Sequence, residues 1–349
     1  MSNYDQFAAA VKEISGGKNV VLLDDLGLPS VYVPINKLKN SEIISGGSEN
    51  THPAFSVNGV EKSRFLYSKY QNIVINGRAY SLSHRDPKTY VNFDQARQAC
   101  EAKGAGFHLG TLAEWAAVAL LTRKMGTMPH GNNNYGGDSA YTYEKGQESA
   151  KDNNKTGRTF TGSGPATWGH DHTQFGIQDM NGNVWEWLGG MRLNEGEIQI
   201  IPYNNAALGS ECDMSASSTL WKAIKNDGSL VAPGTAATLK YDFISGNIQL
   251  TTGITSAQDA GRGGSYTAMT LASGVTAPEL AKALILYPDE PGKDYGGDYH
   301  WMNNAGERLP LAGGRWNRGA GAGVFSLYLG TARSCSRGGL GVRSAYVEL

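Results

Sequence analysis

Glycine constrains this chain more than any other feature. There are 46 glycines among 349 residues, far above the ordinary share of about 7%, and they follow no collagen-like period. They punctuate short segments instead. Glycine weakens the interior of a helix or strand, so such a chain is expected to fold from short strands, tight turns and long loops around a few helices. Hydrophobic residues at 40% supply a real core and argue against disorder. The length fits two domains or one large irregular one.

Charge narrows the function classes. Lysine and arginine number 31 against 32 acidic residues, for a formal net charge of −1, with no long run of either sign. A nucleic-acid partner needs a basic footprint and is not expected. No apolar run approaches a membrane span, so membrane insertion is not expected either. Residues 1–15 lack a basic start followed by an apolar stretch, and no signal peptide is read there. Cys100, Cys212 and Cys335 are few, odd in number and far apart. They match neither a disulfide framework nor a zinc pattern, which suits synthesis in a reducing cytoplasm.

Along the chain, residues 2–15 read as an amphipathic helix with Phe7, Val11 and Ile14 on one side. β-like runs follow at Val20–Leu23 and Val31–Val33. Residues 1–50 are read as a small appendage, for attachment or oligomerisation, or as a plain extension packed on the main domain, residues 51–349. A helix is expected from Asn92 to the Gly104 stop, and a second after the capping box Thr111-Leu112-Ala113-Glu114, ending near Gly126. A third is expected from Thr276 to Leu286, with Pro278 tolerated in its first turn. Few helices among many short strands and glycine-rich loops is an α+β pattern.

The most distinctive string is Gly176-Ile177-Gln178-Asp179-Met180-Asn181-Gly182-Asn183-Val184-Trp185-Glu186-Trp187. Asn181-Gly182 is a turn, and the following strand puts Trp185 and Trp187 on one side and Glu186 on the other. With Gly106 to Trp115 and the later Gly313-Gly314-Arg315-Trp316, this string closely resembles the formylglycine-generating-enzyme branch of the C-type-lectin fold, over roughly Pro53 to Arg343. That resemblance implies the fold. It also implies a candidate structural calcium site, with the Asp179 and Glu186 carboxylates and the Gly182 and Val184 carbonyls as oxygen donors. Two readings stand side by side there: a bound calcium, or Glu186 hydrogen-bonded to the adjacent loop and Asp179 capping a turn.

Oxidases of that family place a cysteine pair, their copper site, just beyond the glycine-glycine motif. Here Trp316 to Gly323 holds no sulfur and Cys335 stands alone, so no copper and no oxidase activity are expected. The sulfoxide-forming branch holds iron with histidines. The only close pair here, His170 and His172, has no third ligand nearby and reads as a surface loop.

Residues 313–344 resemble instead the variable region of diversity-generating-retroelement target proteins, common in phages and prophages. There, adenine mutagenesis turns asparagine codons into a set that excludes Lys, Glu, Gln, Met and Trp. From Arg318 to Gly341 none of these five occurs. Val324, Phe325, Leu327 and Leu329 read as framework. By resemblance the diversified, ligand-binding positions are Arg318, Gly321, Tyr328, Gly330, Thr331, Cys335, Arg337, Gly338 and Gly339; the alternative is an ordinary glycine-rich loop. The leading expectation is a receptor-binding protein, made in a bacterial cytoplasm and carried on a virion or phage tail. Its ligand would be a bacterial surface protein or glycan, and a homo-oligomer is allowed for. The rival readings are a metal-dependent oxidase of the family and a non-diversified carbohydrate-binding module.

Overall fold

The computed structural model describes residues 3–349. Its elements are as short as the glycines require. Helix α1 (Asn3–Ile14) has no buried residue. Strands β1 (Val20–Leu23), β2 (Pro29–Asn36), β3 (Arg64–Ser68) and β4 (Phe107–Leu109) form one antiparallel sheet. The C-terminal strand, Ser344–Tyr346, inserts between β3 and β4, so the order is β1-β2-β3-C-terminal strand-β4. Chain start and chain end are thereby locked into one layer.

That arrangement corrects the expected division at residue 50. Strand β2 pairs with β3 over five residues, Tyr32↔Ser68 to Asn36↔Arg64. Val33, Ile35, Ile43 and Ile44 belong to the main hydrophobic core. Residues 20–50 are therefore packed into the domain, which favours the reading of a packed extension over a separate attachment unit.

Two capped helices pack behind this sheet. Helix α2 (Phe93–Glu101) opens on Asn92, whose side chain accepts from the Gln95 N–H at 2.9 Å. Helix α3 (Leu112–Met125) opens on the Thr111–Glu114 capping box and closes at Gly126. Because ten of its fourteen residues are buried, α3 is a central rod of the core rather than a surface helix. Trp115 on α3 donates its indole N–H to the Val324 carbonyl, 2.7 Å away, tying the core to the C-terminal segment. The third expected helix shrinks to α4 (Glu279–Ala283), with Pro278 as its N-cap. Ile285 takes φ 49°, a conformation that a β-branched residue enters only where the helix has ended.

The second sheet has thirteen strands and carries the site. It contains β5 (Trp185–Trp187), the hairpin β6 (Met191–Asn194) and β7 (Glu197–Ile200), then β8 (Arg262–Ser265), β9 (Tyr299–Met302), β10 (Glu307–Gly313), β11 (Gly323–Thr331) and the two-residue β12 (Leu340–Gly341). The path runs β8-β9-β11-β10-β6-β7, with β5 joined to both β10 and β12. Register shifts interrupt β10 and β11 at Leu309/Leu311 and Ala312/Gly313. Bulges of this kind bend a sheet and re-aim its side chains. Few helices and many short strands make the fold α+β, of the C-type-lectin type.

Candidate ligand-binding site

Alternation along β11 sorts its side chains. Phe325, Leu327 and Leu329 are buried in the main core, while Tyr328 and Gly330 line a cavity on the other side. The cavity holds about 290 Å³, near the lower end of small-ligand sites. Five more of the expected positions line it: Arg318, Thr331, Cys335, Arg337 and Gly339. Two do not. Gly321 sits against Trp301 and Tyr299, and Gly338 against Tyr90. Thr331 is also more enclosed than a surface position, at 7% exposed.

Other lining residues were not singled out from the sequence. Trp185, Leu311, Arg308 and Arg315 also line it. Trp185, Trp301 and Tyr328 make a ring cluster with centroids 5.8–5.9 Å apart. The Arg318 guanidinium lies 5.4 Å from the Trp301 ring centre, in cation–π range. Burial and the neighbouring Arg315 charge push the Arg318 pKa down from its usual value. Trp301 comes from β9, parallel to β11 at Trp301↔Tyr328. No local pattern in the sequence announces that pairing.

Backbone geometry divides the glycines of this segment into two kinds. Gly314 and Gly323 have φ of 89° and 153°, and an added Cβ would lie 2.3 Å from the Ala322 Cβ and 2.1 Å from Asp298 Oδ1. Side chains are excluded there. Gly321, Gly330, Gly338 and Gly339 have no such φ, and the nearest atoms to an added Cβ are side-chain atoms of Trp301, Tyr328, Tyr90 and Arg315 at 3.0–3.5 Å. At the glycines expected to vary a side chain would meet only other side chains, which must give by a few tenths of an ångström at Gly330, Gly338 and Gly339; at Gly314 and Gly323 the backbone conformation and much closer atoms exclude one.

Across β5 from the cavity lies the group expected to hold calcium. Its members do meet, but around a side chain. Gln71, fully buried, directs its amide Nε2 at the carbonyls of Asp179 (3.2 Å), Gly182 (3.4 Å) and Val184 (3.1 Å) and at Glu186 Oε1 (2.9 Å). Asn183 donates to Gln71 Oε1 at 2.9 Å and so fixes which way the amide points. Asp179 contributes its carbonyl, not its carboxylate, which turns away to accept from the Gly162 N–H at 2.8 Å. Arg343 already neutralises Glu186 through contacts of 2.6 and 2.7 Å.

An amide donor at the centre and a charge-matched glutamate do not fit calcium, which asks for six to eight free oxygens. Among the described residues no group of three or more His, Cys, Asp and Glu is placed to hold a metal ion. The histidine pair lies in a loop of turns and bends, with His170 turned inward and His172 half-buried. His170 is buried and accepts from the Ile177 N–H at 2.9 Å, and His172 Nε2 lies 3.0 Å from the Met128 carbonyl. Chelation with EDTA is therefore expected to leave the melting temperature unchanged. Gln71→Ala, which takes the side-chain donor from three buried carbonyls while Glu186 keeps Arg343, should lower stability by about 1–3 kcal/mol in denaturant unfolding.

Asp179 gives the site a pH signature. Burial pushes its pKa up to about 6, against the opposing Gly162 hydrogen bond and Arg343 charge, and its Oδ1 has no partner. The folded state thus holds this proton more tightly than the unfolded one. Its contribution is fully present below about pH 4 and is lost as pH rises through about 6. Above that, the ionised carboxylate costs on the order of 2–3 kcal/mol. Asparagine tolerates the left-handed φ of 61° found here. Asp179→Asn is expected to stabilise the protein at pH 8 and to do so far less at pH 4; equal gains at both pH values would contradict the assignment.

Among solved structures, Treponema denticola variable protein 1 is similar at 13% identity and a TM-score of 0.34, over 94% of this chain and 98% of that one. The Major Tropism Determinant P3c variant is similar at 11% identity and a TM-score of 0.32, over 94% of this chain and 71% of that one. No curated protein sequence matches. The sulfatase-modifying factor enzyme 1-like domain matches residues 34–269. That span holds the capped helices, the Gln71 cluster and the tryptophan strand, and ends before the segment that supplies most of the cavity. By this match over more than half its length, the chain belongs to the sulfatase-modifying factor enzyme 1-like family.

Proposed function

We propose that this protein is a binder rather than an enzyme, and that its ligand enters the cavity lined by Tyr328 and the arginines. The observation that carries the reading is the convergence of seven of the nine expected positions on one cavity. The replaceable backbone at Gly321, Gly330, Gly338 and Gly339 supports diversification of that surface. A rigid frame of strands can vary side chains on one accessible face at little cost in stability. The reading extends to a retroelement-diversified receptor-binding protein of a phage or prophage, displayed on the virion or tail and meeting a bacterial surface protein or glycan.

The family's oxidase chemistry lacks its parts here. Cys335 is the one thiol at the cavity. Cys100 and Cys212 are buried, and burial pushes both thiols up, Cys212 to about 11. Neither is a ready thiolate for metal or redox chemistry. Among the described residues no helix is long and apolar enough to cross a membrane.

Sequencing the DNA around the gene tests the diversification. The expected result is a near-copy of the codons for residues 313–344 beside a reverse-transcriptase gene, differing from the gene at adenines. Absence of both the copy and the reverse transcriptase would overturn it.

A further inference from the structure

We infer that the ligand is held through an acidic saccharide unit, a sugar ring carrying a carboxylate or sulfate. This rests on the reading of the cavity as the ligand site and names the chemistry that the cavity selects.

The lining is unbalanced in charge. Four arginines face the cavity, Arg308, Arg315, Arg318 and Arg337, and no aspartate or glutamate does, although the chain as a whole is almost neutral. Only Arg308 is neutralised, by Asp259 at 2.6 Å. Arg315 bonds the uncharged Asn317 amide at 3.0 Å. Arg318 has a buried Nε with no partner. Arg337 is exposed, and among the described residues neither it, Arg315 nor Arg318 forms an ion pair. Elsewhere in the protein, arginines such as Arg333, Arg192 and Arg158 are paired with carboxylates. Unmatched guanidiniums gathered at one concavity favour an incoming oxyanion, which they can grip bidentately.

The rest of the lining says what should carry the anion. Tyr328 offers ring surface, which packs against the apolar face of a ring, with the nearly buried Trp185 ring 5.9 Å from it. The Tyr328 and Thr331 hydroxyls can both donate and accept, as sugar hydroxyls require. An aspartate or glutamate side chain would satisfy a guanidinium but leave the rings bare. An acidic sugar, with a carboxylate or sulfate on a ring that has an apolar face, offers a partner to both.

The test is a binding panel on the full chain, read by tryptophan fluorescence and calorimetry. It contains uronate, sialylated and sulfated oligosaccharides, their carboxyl-reduced or desulfated neutral forms, inorganic sulfate, and an acidic peptide. At least one acidic oligosaccharide is expected to bind, with its neutral form weaker by tenfold or more and with affinity falling as salt rises. Arg318→Ala and Arg337→Ala should each weaken that binding by tenfold or more. Arg337 is exposed, so its variant keeps the test valid should the half-buried Arg318 variant lose stability. Binding of the acidic peptide alone, of sulfate alone, or of neutral and acidic forms equally, would overturn the saccharide assignment, as would no binding of any acidic member. Gly330→Trp separates this failure from failure of the cavity reading. A ligand of other chemistry that Gly330→Trp abolishes leaves the cavity as the site, and a ligand that survives Gly330→Trp removes it.

Discussion

Replacing Glu186 with alanine is expected to cost about 3–5 kcal/mol, a large part of the whole stability of an ordinary domain. Glu186 and Arg343 are both fully buried and joined by two short contacts, 2.6 and 2.7 Å. The Arg343 guanidinium also donates to the carbonyls of Ser68 (2.9 Å), Lys69 (3.2 Å) and Gln178 (2.9 Å). It therefore fastens the end of β3 to the loop before the tryptophan strand. Removing either partner leaves a charge with no water and no counter-ion. Arg343→Met should cost as much as Glu186→Ala, since it also strips donors from three carbonyls. The double variant should cost at least about 2 kcal/mol less than the sum of the singles, because the second change removes the orphaned charge left by the first. Urea unfolding of the four proteins measures this cycle, and additive losses would contradict it.

What the sequence made legible was local. Thr111 could be read as a helix start because a capping residue and its partner lie three positions apart. The N-terminal helix was equally plain, because its signals sit within a few residues. Pairings over long separations were not legible. Strand β2 enters the first sheet through β3, and the C-terminal strand closes it from the far end of the chain. That is why the sequence left residues 1–50 open between an appendage and a packed extension.

The candidate site shows the same divide. Resemblance placed the nine positions, and strand alternation brought Tyr328 and Gly330 to one face. The Trp185 and Trp301 contributions to the ring cluster come from strands far away in the chain. Gln71 was invisible for the same reason. It follows a strand with no motif around it, yet it fills the space between four oxygens more than 100 residues on. Three of the four oxygen donors of the calcium reading meet there, and the fourth, the Asp179 carboxylate, is replaced by the Asp179 carbonyl; Gln71 between them was not foreseen.

The second large effect concerns binding. Tyrosine and arginine are the residue types that dominate interface energetics, each worth about 2 kcal/mol or more when central and enclosed. Tyr328 and Arg318 are both half-buried at the cavity. Removing both is expected to weaken ligand binding by roughly a thousandfold. Neither lies in the main core, so stability should fall far less than binding does. Val324, Phe325, Leu327 and Leu329 are the opposite case, at 0–2% exposed. Truncating any one of them should cost about 2–5 kcal/mol, with binding lost only because the fold is lost.

A pair of matched libraries tests the central claim most directly. One randomises the nine positions Arg318, Gly321, Tyr328, Gly330, Thr331, Cys335, Arg337, Gly338 and Gly339; the other randomises Val324, Phe325, Leu327 and Leu329. Each is sorted for protease-resistant folding and then for binding to a ligand of the parent chain. The account predicts that most of the first library folds while nearly all of it loses that ligand, and that most of the second fails to fold. A first library that unfolds as often as the second, or that folds and still binds the parent ligand, would contradict it.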